Sequence, residues 1–474
     1  MQNIKEITVK ERFIFALGDL YGGGGQTIIS VLYLVFITNV IGISPGIAGT
    51  IIMISKAWDA INDPLMGMIT DRTKTKIGRR RPFILVGGIL LIPALALLWL
   101  PHSINGTFFK VVYMLLTYLL YYTVNTIIAV PYSALSTEIT NDFNERNKVN
   151  LTRLIFSMVA TAICTLVPTM LFETYTKGGL SIIAFYLIMV FVFGAVFTIP
   201  LILIGLFTKE RTPYEEPEKF KVEKFVEPLK VKGFRKLVVM YICQALALDM
   251  ASAVVIYYGL YVVNISSTIF LGTFLGMQLL MFPLLYRLVQ NISKTKIYAY
   301  GLPLTILMSL GIAFFPQGQH PLLLYVIVGL AALGFSGAQL MSWIIFPDAV
   351  DIVELKLKER NTGVCSGVMT FIRTGSSALA VFIIGWVLEL TGFLTPTEAI
   401  PEPLQPESAI WGIRMIFVLG LGLLILIGYF VARSFKISPT ISKDIKHLNE
   451  KLALNLELDI EEKERMETYI KELC

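Results

Sequence analysis

Charge is scarce in this chain: only 16% of its 474 residues are Asp, Glu, Lys or Arg, against 55% hydrophobic ones. Such a composition excludes a soluble domain, and apolar runs of about 20 residues, each enough to cross a bilayer, recur along the whole length. Histidine is almost missing. His102, His320 and His447 fall at the ends of predicted segments or in the tail, so histidine-based catalysis in the core has nothing to work with. No serine has a recognisable catalytic neighbourhood, and we expect neither an enzyme nor a cofactor. Cys164, Cys243, Cys365 and Cys474 show no paired spacing and three lie in or beside apolar segments, which argues for small buried hydrophobes rather than disulfides or a metal site. Residues 1–12 are polar and no short leader with a cleavage site is separable, so no cleaved signal peptide is expected.

What is present is a series of about twelve spans of transmembrane length, expected near 12–40, 47–70, 82–101, 109–136, 149–172, 180–208, 236–263, 267–290, 294–315, 321–346, 363–391 and 409–434. Loops after every second span carry nearly all the loop Lys and Arg. The opposite loops carry only Lys110 and Lys177, and the longest of them, Thr391 to Ser408, carries Glu398, Glu402 and Glu407 with four prolines. By the positive-inside rule both termini are cytoplasmic and the chain is a multi-pass protein of the cell membrane. One long charged interruption divides it into a bundle at 1–208, a cytoplasmic linker at 209–236, a second bundle at 237–435 and a cytoplasmic tail at 436–474. The halves repeat: TKTKIGRRRP after span 2 is echoed by SKTKIYAYGLP after span 8, and PYSALSTEITNDFNERN after span 4 by PDAVDIVELKLKERN after span 10. The fold class is therefore all-α, two parallel six-span halves.

The stretch from Ser55 to Pro82 stands out, because it puts charge inside an apolar segment and a basic block directly after it. Asp59 and Asp63 are four residues apart and share one face of a helix. Two carboxylates that close, away from water, repel unless a cation sits between them or one takes a proton. Asn62 offers a further oxygen, Pro64 removes a backbone donor, and oxygen ligands suit a hard cation. The alternative is that Lys56 neutralises Asp59 while Asp63 meets an arginine elsewhere. Arg72, Lys74, Lys76, Arg79, Arg80 and Arg81 read as a short cytoplasmic loop, pinned between two spans and ill-suited to nucleic acid.

The pattern K-x-W-D-A-I-N-D-P, followed by G-R-R-R-P, resembles the glycoside-pentoside-hexuronide:cation symporters of the major facilitator superfamily, the melibiose-carrier group. Animal sodium-dependent lysophospholipid symporters share the block. The resemblance implies a coupling ion, Na⁺ or H⁺, on Asp59 and Asp63, an arginine at Arg153 facing the central cavity, and a basic residue, Arg373, that contacts the acids of span 2. Sugar carriers of the melibiose type have an acid two positions before Pro131, where this chain has Ala129. That departure leaves other glycosides or a lipid-like cargo open.

Other candidates come from the spans themselves. Arg153 cannot lose its charge and needs a carboxylate, with Asp59 or Asp63 available, or an anionic cargo. Asp249 reads as a lone core acid. Trp343 and Gln339 suit stacking on and hydrogen bonding to a sugar, and Tyr122 and Tyr132 line span 4. Asp19 reads as either a core carboxylate or an acid lying near the cytoplasmic end, the latter favoured, and Gly22 to Gly25 as either a flexible break or a close packing face. The expected function is a secondary active symporter, monomeric, embedded in membrane lipid and carrying a small molecule. A glycoside, pentoside or hexuronide is the first choice of cargo and a lysophospholipid or other organic anion the second.

Overall fold

The computed structural model describes residues 7–102, 104–140, 142–211, 225–289, 291–317, 320–359, 362–396, 403–454 and 456–473. Linker residues 212–224, Glu398, Glu402 and Cys474 lie outside them. Among the described residues eleven helices are long and apolar enough to cross a membrane: α1 (Val9–Asn39), α3 (Arg81–Leu98), α4 (Thr107–Glu138), α5 (Phe143–Thr176), α6 (Ile182–Phe207), α7 (Lys232–Val263), α8 (Ser267–Leu288), α9 (Lys294–Ala313), α10 (Pro321–Leu357), α11 (Thr362–Leu390) and α12 (Glu407–Ser434). The helix that falls between α1 and α3, α2 (Pro45–Arg72), has the length but holds Lys56, Asp59 and Asp63 midway. Two shorter helices follow, α13 (Pro439–Ala453) and α14 (Ile460–Leu473).

Most spans match the expected ones to within a few residues, but α5 begins six residues before the expected 149 and α10 runs eleven residues past the expected 346, to Leu357. Pro45, Pro82 and Pro321 sit in first turns, where a missing N–H costs nothing. Pro64 does not break α2, which runs on to Arg72. The glycine run of α1 is likewise helical, and it packs: a Cβ at Gly23 would collide with Ser157 of α5, and one at Gly24 with Cys164. Of the two readings of those glycines, close approach is the one observed, while α1 is interrupted a turn earlier, at Leu17 and Gly18.

The repeat of the sequence is a repeat of the structure. The basic residues after the second helix of each half are gripped by the acidic end of its fourth helix. Arg79 donates to Glu138 at 2.8 Å and Arg80 to the same carboxylate at 3.0 Å, while Lys294 pairs with Asp348 at 2.6 Å. Both fourth helices, α4 and α10, carry an internal proline, Pro131 and Pro347. Both sixth helices, α6 and α12, widen into a π-helical stretch, at Ile188–Val192 and Val418–Leu424. The tail docks on the second half alone, with Ser442 donating to Asp348 at 2.7 Å and Asn449 to the Asp351 carbonyl at 2.9 Å.

The halves meet chiefly through α2 against α11, α5 against α8 and α1 against α7. These contacts gather at the end opposite the basic loops. There Gly49 and Gly385 let the α2 and α11 backbones touch, Trp386 donates to Thr50 at 3.3 Å, Thr38 and Tyr257 share a 2.7 Å hydrogen bond, and Asn39 donates to Tyr261 at 2.8 Å. Toward the basic loops the same helices separate, and α2 leaves Ile61, Leu65, Met68 and Ile69 exposed, as α5 leaves Leu151, Leu154, Ile155 and Met158. The chain is closed at one end and open at the other.

Candidate functional site

Asp59 and Asp63 lie on consecutive turns of α2, at the level where the closed seam gives way to open space. Asp59 is buried, 4% exposed, and accepts a hydrogen bond from Thr126 of α4 at 3.0 Å. One oxygen of Asp63 and the amide nitrogen of Asn62 are buried with no hydrogen-bond partner. A carboxylate oxygen in that condition costs several kcal/mol unless a cation, a proton or water meets it. The two carboxylates and the Thr126 hydroxyl bound to Asp59 are hard oxygen donors, the kind that could hold a small cation. No group of three or more His, Cys, Asp or Glu side chains fit to hold a metal occurs among the described residues.

Asp59 belongs to a longer polar path. Next to Thr126, Asn125 accepts a hydrogen bond from Tyr21 of α1 at 2.8 Å. Two residues below Tyr21, Asp19 is buried, 8% exposed, and binds Arg153 of α5 at 2.6 Å and the hydroxyl of Tyr132 at 2.8 Å. The Arg153 guanidinium also lies over the Tyr132 ring, 4.6 Å from its centroid. Arg153 therefore finds its carboxylate in α1 and not in α2, and Asp19 is a core ion-pair member rather than a surface acid near the helix end. The reason is geometric: α5 packs along α1, whose glycines admit it, so Arg153 reaches α1 first.

The second half holds a matching pair. Arg373 of α11 binds Asp249 of α7 through both guanidinium nitrogens, at 2.5 and 2.9 Å. Asp249 is thus not a lone acid, and Arg373 meets an acid of α7 rather than those of α2. One turn above Arg373, Ser377 accepts a hydrogen bond from Lys56 of α2, so Lys56 bridges the halves instead of neutralising Asp59. The side chain of Arg373 keeps 39% exposure, which leaves it available to a solute. Trp343, half-exposed, stands edge-on to Tyr241 with ring centroids 5.4 Å apart, whereas Gln339 is engaged by Gln278 at 3.0 Å. Tyr122 is buried in a cluster with Tyr118 and Tyr121.

Thr126, Tyr21 and Ser377 carry no sequence signal. Threonine and serine in an apolar helix most often bond to their own backbone, as Thr117, Thr123 and Thr165 do here. Thr126 differs only in what faces it.

The sequence profile of the family described as MFS/sugar transport protein matches residues 14–439. An uncharacterized symporter of Synechocystis is 28% identical, over 90% of this chain and 95% of its own length. The "Putative glycoside/cation symporter YagG" of Escherichia coli is 25% identical, over 93% of this chain and 96% of its own. Among solved structures, the bacterial homolog of the human lysosomal transporter Spinster superposes with a TM-score of 0.62 at 14% identity, over 90% of this chain and 97% of that one, a likeness of fold. With twelve long helices among the described residues, arranged in two repeated halves, and a profile match across nearly the whole chain, this protein belongs to the MFS/sugar transport family of the major facilitator superfamily.

Proposed function

We propose that this chain is a cation-coupled secondary active symporter for a glycoside, pentoside or hexuronide, with Na⁺ or H⁺ bound at Asp59 and Asp63 and cargo in the space between the halves. The observation that carries this reading is the buried, unpartnered oxygen of Asp63 one turn from Asp59, which calls for a positive charge from outside the chain. Asn62 and Thr126 complete the ion's oxygens. Cargo meets Arg373, Trp343, Tyr241 and, across the opening, Arg153, while the basic loops mark the cytoplasmic side, so the conformation seen is open inward. The chain works as two units, 1–208 and 237–435, that rock about this site. A cation at Asp59 removes the repulsion between the two acids, and cargo then binds to a site whose charge is already balanced, which makes the two ligands cooperative by linkage.

The test is thermal unfolding of the purified protein against Na⁺, Li⁺ and pH, crossed with panels of sugars, uronates and lysophospholipids. A cargo that stabilises more when Na⁺ is present, with the Na⁺ effect lost in Asp63→Asn, is the expected result. Stabilisation by cargo that follows pH and ignores Na⁺ assigns the proton as coupling ion. Full cation response in both Asp59→Asn and Asp63→Asn overturns the site. An organic-anion cargo is the second reading, favoured by the partly exposed guanidinium of Arg373, and it predicts response to uronates or lysophospholipids and none to neutral sugars.

A further inference from the structure

The closed end of the molecule is held by two acids in equivalent places. Glu173 lies in the last turn of α5, and its carboxylate accepts the backbone N–H of Thr268, the second residue of α8, at 2.9 Å and the hydroxyl of Ser266 at 2.9 Å. Glu389 lies in the last turn of α11, and its carboxylate accepts the backbone N–H of Gly46, the second residue of α2, at 3.1 Å. In the repeat α5 corresponds to α11 and α8 to α2. Each half therefore ends its fifth helix in an acid that caps the second helix of the other.

Both acids are badly placed for their own helix, because a carboxylate in the last turn faces the negative end of the macrodipole. Both are well placed for the partner helix, whose first N–H groups have no intrahelical acceptor. The favourable half of each interaction thus exists only while the halves touch at this end. Glu173 is 8% exposed, so on separation it loses two hydrogen bonds from a buried position, a larger penalty than that of the exposed Glu389 with its single bond.

We propose that Glu173 and Glu389 are positioning residues for alternating access: a reciprocal pair of carboxylate caps that hold the end away from the basic loops shut and set the balance between the two open states. The inference rests on the carrier reading. Its mechanism is a population shift, since the caps contribute to one state and not to the other.

The test is hydrogen exchange of the full chain in lipid nanodiscs, read by mass spectrometry without cation or cargo. Peptides should cover the first turns of α2 and α8, which contain the Gly46 and Thr268 amides, and the first turns of α5 and α11 at the opposite end. Glu173→Ala is expected to speed exchange about tenfold at the start of α8 and also at the start of α2, which Glu173 does not touch, while slowing exchange at the starts of α5 and α11. Glu389→Ala, at an exposed position outside the packed core, is expected to do the same more weakly, and Glu173→Gln, which keeps an acceptor, to restore most of the protection. Faster exchange confined to the helix that each acid caps, with the other seam and the opposite end unmoved, overturns the proposal and leaves two local caps. Because no cation or cargo enters, failure of the ligand screen does not bear on this result, nor this result on the cation site.

Discussion

The two halves share a plan and differ in one helix. Each pairs an acid of its first helix with an arginine of its fifth, Asp19 with Arg153 and Asp249 with Arg373. Each grips the basic residues after its second helix with acids of its fourth. Only the second helix itself departs: α2 carries Lys56, Asp59, Asn62 and Asp63, where the positions of α8 aligned through the shared TKI are Gly276, Leu279, Phe282 and Pro283. The shared features lie where each bundle must hold itself together, and the asymmetric ones lie where the bundles face each other. An arginine–carboxylate pair within one half is rigid scaffolding, since both partners travel together. On α2, Asp59 and Asp71 have partners within their own half, Thr126 and Arg80, whereas Lys56 is bound across the seam and one oxygen of Asp63 has no partner, so the surroundings of those two depend on the other half or on what enters from outside.

Three experiments sharpen that contrast. The largest effect is expected from cutting the matched ion pairs. Arg153→Ala leaves a buried Asp19 and should cost about 3 kcal/mol of stability. Arg373→Ala should cost less, about 2 kcal/mol, because its side chain is 39% exposed and water can reach the stranded Asp249 beside it. Thermal and denaturant unfolding of the two variants checks the order, and equal or reversed losses would show that the pairs are not embedded as their exposures indicate. An intermediate effect is expected from Thr126→Val, which keeps shape and removes the hydroxyl donated to Asp59. Cation affinity should change roughly tenfold with cargo affinity in the saturating ion unchanged, read by titration of the stabilisation. The smallest belongs to Ser377→Ala, which removes the Lys56 acceptor on α11. A loss of about 1 kcal/mol from the closed seam, seen as a several-fold rise in exchange at the starts of α2 and α8, is expected. No rise would place Lys56 with the scaffold instead of the seam.

Much of the fold was legible because a bilayer leaves few choices. Every backbone polar group in lipid must be satisfied within its own helix, so apolar runs of the right length become helices, and the expected span at 409–434 ends where Glu407–Ser434 ends and starts two residues later. Asp59 and Asp63 were legible for the same reason, as charges where lipid permits none without a purpose. Their surroundings were not. Sequence spacing relates Lys56 to Asp59, yet the lysine turns to Ser377, which is more than three hundred residues away in the chain and was invisible until α11 lay beside α2. Arg153 offered two acids on α2 as partners, and the partner is Asp19, because helix packing through Gly23 and Gly24 brings α1 nearer.

By itself the sequence determined the number of helices, their rough limits, the repeat and the one span that bears charge, since each follows from hydropathy and local spacing along a single helix. Which charge meets which, which end of the seam is shut, and that Glu173 and Glu389 close it from opposite halves were decided only by tertiary structure. Those facts depend on how helices distant in the chain lie against one another, and on which helix termini they bring within reach of a carboxylate.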